Sequence, residues 1–304
     1  MKIGFIGRSK MLADTINLVL HSKDFDISFI WTSRDESYYE YNWEKFEVLA
    51  KNIGCPFIFS SKIEKSKNIP KADIVISVNF VNLIPIWFLD KFKYGVLNAH
   101  AGDLPRYKGN ACPNWAILNG EDEVVLTIHR MDESLDSGPV YCKSKFNLQK
   151  DTYISDVYNW MYKETPIMFH QSIIKVLNGE MPTPQTGRTL RTFPRKPEDG
   201  QLDFSKDIEW NYRLIRASSK PLDGAFCYLN DGKEKVKIWN AIPVSLDFDI
   251  VAINGQIIDS NNDESTFVIA VGNEALHVSD FSIGDFSKKE SYKVICGSLR
   301  NRLT

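Results

Sequence analysis

The first 145 residues alternate short apolar segments with amphipathic ones, and this alternation constrains the fold more than any other feature. The apolar segments contain few polar residues, as expected for strands buried on both faces of a parallel sheet. Helical periodicity predicts connecting helices over 11–21, 43–53 and 111–118. The predicted strands are 2–6, 26–31, 56–59, 73–78, 94–100, 124–130 and 140–146. We therefore expect an α/β domain built on a mostly parallel sheet.

The composition and periodicity of the sequence change after residues 152–178, which have a helical pattern. Residues 179–200 are rich in Pro, Thr and Arg and have no periodicity, which predicts a linker. Beyond them, 225–241 and 267–281 each indicate two strands about a tight turn, a pattern typical of a small barrel. The two turns are Asn230-Asp231-Gly232 and Gly272-Asn273. The predicted organisation is an α/β domain over 1–180, a linker over 181–200 and an OB-like β-barrel domain over 201–304.

Composition and charge disfavour several classes of protein. Of the 304 residues, 43% are hydrophobic and 25% are charged, and the net charge of −2 gives no strong positive field for nucleic acid. No apolar run approaches the roughly 20 residues of a membrane-spanning helix, and the N-terminus does not read as a signal peptide. The five cysteines are scattered without a C-x-x-C pair, which favours a reducing cytoplasm over disulfides or zinc. We expect a cytoplasmic enzyme of small molecules, without a metal, a membrane or a nucleic-acid partner.

Polar side chains stand at the end of the predicted strand 94–100. Asn98 and His100 are two residues apart, so they point to the same side of an extended chain. In open α/β sheets, ligands bind beyond the carboxyl ends of the strands. Asp136, in the loop between two later strands, is expected at the same edge. The sequence therefore predicts one pocket that contains an amide, an imidazole and a carboxylate.

These three groups suit the transfer of an acyl group to an amine. Imidazole titrates near neutrality and can take a proton from an amine. A carboxylate beside the ring fixes its orientation and favours its charged form. The Asn98 amide can donate a hydrogen bond to an oxygen that gains negative charge in a tetrahedral intermediate. No Ser or Cys is placed as a nucleophile, which favours direct transfer over a covalent acyl-enzyme.

Three stretches together resemble the signature of the folate-dependent formyltransferases. They are Asn98-Ala99-His100, Leu104-Pro105-Arg106-Tyr107-Lys108-Gly109 and Asp136-Ser137-Gly138. Residues 195–204 and 214–226 also resemble the start of the barrel domain in the tRNA and amino-arabinose branches. Within the family, 114–121 and 127–131 most resemble the nucleotide-sugar branch, which formylates UDP-4-amino-4-deoxy-L-arabinose. The resemblance implies a Rossmann-like catalytic domain whose catalytic residues are Asn98, His100 and Asp136.

The resemblance also implies two ligands and a homodimer. The formyl donor is N10-formyltetrahydrofolate, and the acceptor is a nucleotide-linked amino sugar of bacterial surface glycan (lipopolysaccharide) synthesis, with UDP and a C4 amine favoured. Helix N-termini favour anions, so the turn at residues 7–9 is a candidate for the acceptor's phosphates. The predicted donor contacts are Phe80, Val81, Leu83 and Asp132. The predicted acceptor contacts are Gly7, Arg8, Ser9, Arg106, Lys108 and Asn110.

Each of these contacts competes with a purely structural interpretation. Phe80 also fits a core position, residues 7–9 also fit a plain turn, and Arg106 also fits a solvated loop. His129 lies inside a predicted strand and fits a buried, hydrogen-bonded histidine. Cys112 has no neighbour in the sequence that would activate its thiol.

Two other functions compete with sugar formylation. Methionyl-tRNA formyltransferase is the rival within the family, but residues 200–304 carry 12 Lys or Arg and 15 Asp or Glu, a net charge of −3. A domain that binds tRNA is expected to present a basic face, because phosphate contacts supply most of the affinity. A binding module without catalysis is disfavoured, because all three catalytic positions hold the expected residue types. The sequence therefore favours the sugar over the tRNA.

Overall fold

The chain forms two compact units in a computed structural model, which describes residues 1–22, 24–36, 39–64, 68–230, 232, 234–246, 249, 251–298 and 300–304. The N-terminal unit comprises Met1–Cys112, Glu123–Asn147 and Tyr158–Phe193. The C-terminal unit comprises Pro113–Asp122, Leu148–Val157 and Pro194–Thr304. The boundary predicted at 181–200 stays a prediction.

Strands and helices alternate through the first half of the chain. Its strands are β1 (Lys2–Gly7), β2 (Asp26–Thr32), β3 (Phe57–Phe59), β4 (Ile74–Val78), β5 (Val96–His100), β6 (Lys108–Gly109), β7 (Glu123–Arg130) and β8 (Val140–Asn147). Its helices are α1 (Ser9–Leu20), α2 (Trp43–Ile53), α3 (Ile86–Leu89), α4 (Cys112–Asn119) and α5 (Ile154–Leu177). The two-residue strand β9 (Arg191–Thr192) follows α5. The seven predicted strands are confirmed to within two residues at their ends.

The sheet of the N-terminal unit has the order β3-β2-β1-β4-β5-β7-β8. The first five strands are parallel to their neighbours, whereas β7 runs antiparallel to β5 and β8 antiparallel to β7. This confirms the mostly parallel sheet. The antiparallel β7 was not predicted, because a helix between two apolar strands gives the same sequence pattern in either direction.

Local signals explain where the helices begin. The Asn42 side chain accepts the Lys45 N–H at 3.2 Å and caps α2, whose bounds match the prediction. α1 begins at Ser9, two residues before its first apolar side chain, so periodicity placed its start too late.

Aromatic side chains fill the core of the N-terminal unit. Phe88 of α3 packs edge-on against Trp31 of β2 with ring centroids 5.9 Å apart. Each such fully buried aromatic contributes about 1.5–3 kcal/mol of hydrophobic stabilisation.

The C-terminal unit contains an antiparallel sheet of order β10-β11-β14-β13-β12. Its strands are β10 (Ala225–Leu229), β11 (Glu234–Val244), β12 (Ile257–Asn261), β13 (Thr266–Val271) and β14 (Glu274–Ile283). Both predicted hairpins, β10/β11 and β13/β14, are confirmed, although Asp231 of the first turn lies outside the described residues. The helices are α6 (Ile208–Ser218) and α7 (Lys288–Ile295), preceded by a 3₁₀ turn at Pro197–Gly200.

The last residues of the chain join the two edges of this sheet. Tyr228 on β10 and Thr304 exchange two backbone hydrogen bonds of 2.7 Å. The Leu303 N–H donates to the Gly255 carbonyl at 2.9 Å, just before β12 begins. The sheet is thereby closed in the manner of a small barrel around a core that includes Phe267 and Phe281.

The stretch predicted as a linker carries regular hydrogen bonds. Thr183 and Val140 exchange two backbone hydrogen bonds of 2.8 Å. β9 pairs in parallel with β6, with Arg191 opposite Lys108 and Thr192 opposite Gly109. Composition did not reveal these contacts, because two-residue pairings leave no periodicity. Residues 183–192 therefore contact both β6, in the loop that follows β5, and the start of β8, which follows the Asp136 loop.

Candidate active site

Asn98 and His100 close strand β5, as predicted. The strand begins with the fully buried Val96 and Leu97, which anchor it in the sheet. Asn98 lies opposite Ser77 on β4 and opposite His129 on β7. The side chain of His100 is 8% exposed. The end of β5 is therefore a rigid platform for two polar side chains.

Both ring nitrogens of His100 face partners within the N-terminal unit. Nε2 donates to the Tyr107 carbonyl at 2.6 Å, and Nδ1 lies 3.5 Å from Asp136 Oδ2. A Cβ atom on Gly102 would lie 2.6 Å from the His100 Nε2 and 2.2 Å from the Tyr107 carbonyl oxygen. The loop can therefore close onto the imidazole only with glycine at position 102.

Asp136 reaches His100 from a loop that begins at the other end of β5. The Met131 N–H donates to the Val96 carbonyl at 2.8 Å, and the chain then folds back so that the Asp136 carboxylate meets His100. A Cβ atom on Gly138 would lie 1.7 Å from the Arg130 carbonyl oxygen, so this loop requires glycine there. The Asp136 carboxylate thus meets His100, as expected, but by a route that the antiparallel β7 dictates.

The carboxylate of Asp136 is held by backbone as well as by the imidazole. Oδ2 accepts the Gly109 N–H at 2.9 Å, and the side chain is 10% exposed. Asp136 has a φ of 50°, a left-handed conformation that Asp tolerates better than most residues. The three predicted catalytic side chains are thus brought together with Gly109, from the same loop as Tyr107.

Gln185 holds the backbone of the Asp136 loop through hydrogen bonds, a role that the sequence analysis did not predict. Its Nε2 donates to the Asp136 carbonyl at 2.9 Å and to the Gly138 carbonyl at 2.8 Å. A single Gln in a polar stretch gives no signal for such a role. Its position next to Thr183, which pairs with β8, is visible only in the folded chain.

The two histidines of the site have opposite electrostatic surroundings. Burial lowers the pKa of His100, but the hydrogen bond to Cys112, the charge of Asp136 and the Tyr107 carbonyl together raise it to about 9. Burial and the charge of His100 lower the pKa of His129 to about 4, although Asp136 opposes them. His100 is therefore charged and His129 neutral near pH 7. A charged ring has no proton-accepting nitrogen, so these surroundings favour a role for His100 as a cation, and its predicted role as the base stays a prediction.

His129 belongs to the site and is more than a core residue. Its Nε2 lies 3.3 Å from Asn98 Nδ2 and 3.9 Å from Asp136 Oδ1. Its side chain is 1% exposed. The strand pattern predicted its burial, but only the pairing of β5 with β7 places it beside Asn98.

Cys112 lies next to His100 in the folded chain, although the two are twelve residues apart in the sequence. Its Sγ is 3.6 Å from His100 Nε2, 3.0 Å from the Tyr107 carbonyl and 3.2 Å from Thr192 Oγ1. Cys112 is only 3% exposed, and the His100 Nε2 already donates to Tyr107. The thiol is thus enclosed by protein groups and is not presented as a nucleophile.

The predicted acceptor contacts fall into two groups. Arg106 and Asn110 are exposed, and Lys108 on β6 is half-buried, all in the loop that supplies the Tyr107 carbonyl. Arg8 is buried instead, and its guanidinium donates to the Asn79 carbonyl, the Arg34 carbonyl and Glu36 Oε1 at 3.1, 2.9 and 3.0 Å. Gly7 and Ser9 flank it, and Ser9 is buried next to Asn79. The second group therefore lies at the end of β1, and its cation is already engaged.

The predicted donor contacts include exposed apolar side chains. Val81 is 47% and Leu83 81% exposed, whereas Phe80 packs edge-on against Trp31. Asp132 accepts the Ser134 N–H at 3.1 Å and the Ser137 hydroxyl at 2.5 Å within its own loop. The exposed pair Val81 and Leu83 offers the kind of apolar surface that a flat heterocycle covers.

The described residues hold neither a group of metal-ligating side chains nor a helix that could cross a membrane. Among them, no three His, Cys, Asp or Glu side chains are grouped as metal ligands. Within the same ranges, no helix is both long enough and apolar enough to cross a membrane.

Sequence profiles match most of the chain. The profile described as "Formyl transferase" matches residues 45–173, and that described as "Formyl transferase, C-terminal domain" matches residues 195–293. A methionyl-tRNA formyltransferase from Citrifermentans bemidjiense is 29% identical over 197 residues. That match spans 62% of this chain and 62% of the length of the relative.

Solved structures share the fold at low sequence identity. An N-formyltransferase from Helicobacter canadensis, in complex with folinic acid and dTDP-3-aminofucose, superposes with a TM-score of 0.66 at 18% identity, covering 92% of this chain and 99% of that chain. HypX from Aquifex aeolicus, in complex with tetrahydrofolic acid, gives a TM-score of 0.65 at 17% identity, covering 92% of this chain but 44% of that chain. These likenesses establish the fold of the chain.

Proposed function

Because the chain belongs to the formyl transferase family, both of whose domains it carries, we propose that it transfers a formyl group from N10-formyltetrahydrofolate to the amine of a nucleotide-linked amino sugar. The observation that carries this proposal is the convergence of Asn98, His100 and Asp136 in one cluster, in which His100 is buried, Asp136 contacts His100, and His129 lies between Asn98 and Asp136. An amide donor, a charged imidazole and a carboxylate are the groups that a direct acyl transfer to an amine requires. The proposed pathway is bacterial surface glycan synthesis.

The site residues have two roles in the proposed transfer: Asn98 and His100 stabilise developing negative charge, and Asp136 accepts a proton. When bound, N10-formyltetrahydrofolate supplies the formyl carbon, and the apolar Val81 and Leu83 with Phe80 would hold its pterin. The Asn98 amide donates to the formyl oxygen as negative charge develops there, and the charged ring of His100 stabilises the same charge. Asp136 holds His100 in its charged form, and its Oδ1 would take the proton that the amine loses as the new C–N bond forms. Asp136 would then return this proton to the folate N10 as the bond between N10 and the formyl carbon breaks, which releases tetrahydrofolate. His100 thus acts as a cation, which fits its two occupied nitrogens.

Two cations beside the site, the exposed Arg106 and the half-buried Lys108, suit a diphosphate. A nucleoside diphosphate carries about two charges, which a few Lys or Arg side chains can balance. Arg106 and Lys108 lie in the loop that also supplies Tyr107 and Gly109 to the catalytic cluster. We assign them, with Asn110, to the acceptor. UDP and a C4 amine are favoured by the resemblance of residues 114–131 to the amino-arabinose branch.

Part of that resemblance is structural. Asn114 is 5% exposed, and its Nδ2 donates to the Ala217 carbonyl at 2.7 Å within the C-terminal unit. The match at Asn114 is therefore explained by a structural hydrogen bond and gives no information about the sugar. The solved N-formyltransferase from Helicobacter canadensis carries a dTDP-linked 3-amino sugar, so base and ring carbon must both be varied in the assay.

Methionyl-tRNA is the second candidate acceptor, because the curated relative at 29% identity is a methionyl-tRNA formyltransferase. The net charge of −3 over residues 200–304 weighs against it. A panel of UDP-, dTDP- and GDP-linked amino sugars and methionyl-tRNA, each incubated with N10-formyltetrahydrofolate, separates the two by mass spectrometry of the products. Formylation of a nucleotide sugar alone supports the proposal. Formylation of methionyl-tRNA alone overturns it.

A further inference from the structure

His129 is tied to the catalytic amide by strand pairing. Asn98 on β5 and His129 on β7 are directly opposite each other in the antiparallel register. Side chains at such positions leave the same face of the sheet and contact each other. The result here is a distance of 3.3 Å between Asn98 Nδ2 and His129 Nε2. The chemistry proposed above gives His129 no task of its own.

The backbone determines which nitrogen of His129 carries the proton. Nδ1 lies 3.3 Å from the Arg130 carbonyl oxygen, which can only accept a hydrogen bond. Nδ1 therefore holds the hydrogen of the neutral ring, and Nε2 presents its lone pair to Asn98. Because a lone pair can only accept, it selects the NH₂ end of the Asn98 amide and turns the carbonyl end away.

We propose that His129 is a positioning residue, which uses its Nε2 lone pair to fix the rotation of the Asn98 amide so that the second N–H of Asn98 is free for the oxyanion. The proposal rests on the formyl transfer proposed above. An oxyanion donor is effective only when it is held in place before the reaction begins. Rotated by half a turn, the amide would present its carbonyl oxygen to the developing negative charge.

Protonation of His129 would destroy this arrangement. The charged ring would donate from Nε2, lose its hold on the amide and turn towards Asp136 Oδ1, which lies 3.9 Å away. The other titratable groups that face the ring are His100, at 6.4 Å between ring centroids, and Asp132. Burial and the charge of His100 keep His129 neutral near pH 7, although the two carboxylates favour its charged form.

Two substitutions separate the lone pair from the bulk of the ring. His129→Gln places an amide oxygen near the position of Nε2 and keeps an acceptor, whereas His129→Leu removes it. We expect kcat to fall about 10- to 100-fold in His129→Leu, with little change in KM, and to stay within a few-fold of wild type in His129→Gln. His277→Gln, on β14 of the C-terminal unit, is the matched control and is expected to leave kcat unchanged.

A double mutant shows whether His129 acts through Asn98. If it does, Asn98→Ala already removes what His129 supports, so Asn98→Ala/His129→Leu has the same kcat as Asn98→Ala alone. Full additivity of the two losses would contradict the proposal, as would unchanged kcat in His129→Leu. Circular dichroism and thermal melting establish that each variant is folded.

Nitrogen NMR of the imidazoles tests the hydrogen bond without any assay. The His129 signals, assigned by their loss in His129→Gln, are expected to show a protonated Nδ1 and an unprotonated Nε2 near pH 7. A proton on Nε2 overturns the proposal, even if the enzyme is active. If wild-type protein formylates no acceptor while Nε2 is unprotonated, the proposed function fails and the link between His129 and Asn98 stands.

Discussion

The ends of β5 and β1 lie at the same edge of one sheet, yet they hold their polar side chains in opposite ways. At the end of β5, groups from two further loops occupy both ring nitrogens of His100, whereas the Asn98 amide contacts His129 and, in the proposed mechanism, keeps its second N–H for the oxyanion. At the end of β1, the guanidinium of Arg8 is consumed by two backbone carbonyls and by Glu36. Unused hydrogen-bonding capacity at a strand end, as in the Asn98 amide, thus separates a candidate functional side chain from a structural one such as Arg8.

The strongest test of this comparison removes His100. His100→Asn should fold and lose about 10²–10⁴-fold in kcat, because the positive charge that stabilises the oxyanion is removed. Steady-state kinetics on the accepted sugar measures the loss. Retained activity in a folded variant would eliminate the role of His100.

Asn98→Ala sharpens the contrast by removing the donor and leaving the charge. We expect a loss of about 10²–10³-fold in kcat with little change in KM, because the hydrogen bond is made in the transition state. A rise in KM at constant kcat would instead mean that Asn98 only binds substrate.

The pH dependence tests the charge on His100. Because the folded-state pKa of His100 is raised to about 9 from its ordinary 6.5, its contribution to stability is complete below about pH 6.5 and lost as the pH rises through 9. The kcat should likewise fall above about pH 9. In Asp136→Asn the carboxylate charge that raises the pKa of His100 is removed. The alkaline fall of the residual activity should therefore begin at a lower pH than in wild type. An alkaline limb that does not move would contradict the coupling of the two residues.

Arg8 tests the other side of the comparison. Arg8→Met should lower the free energy of unfolding by about 1.5–3 kcal/mol, because buried carbonyls lose a charged donor. Arg106→Met is the exposed counterpart, and we expect it to raise the KM of the nucleotide sugar while keeping a wild-type Tm. Thermal melts and kinetics of both variants decide the matter. If Arg8→Met raised KM more than Arg106→Met at an unchanged Tm, Arg8 would be the diphosphate ligand after all.

The smallest effect concerns the boundary between the domains. Residues 181–200 are predicted as the linker, and Met181 is 85% exposed. Limited proteolysis is expected to cut there first. First cleavage inside residues 1–145 would contradict the predicted boundary.

The sequence predicted those features that depend on neighbouring residues. Alternation located the strands of the N-terminal unit, and the spacing of Asn98 and His100 placed both at a strand end. The missing features depend on pairing across the sheet or on distant chain. The antiparallel β7 puts His129 beside Asn98, and residues 183–192 bring Gln185 to the Asp136 loop. The raised pKa of His100 depends on contacts with Cys112, Asp136 and the Tyr107 carbonyl, which only the folded chain assembles.

The identity of the acceptor is tested most directly by titrating the protein with UDP and, separately, with tRNA at several salt concentrations. Two phosphate charges need only a few cations, so we predict that UDP binds and that its affinity falls gently with salt. A tRNA needs many phosphate contacts, and its binding would weaken steeply as salt rises. Micromolar tRNA binding with a steep salt dependence, together with no binding of any nucleoside diphosphate, would contradict the sugar assignment and establish the tRNA alternative.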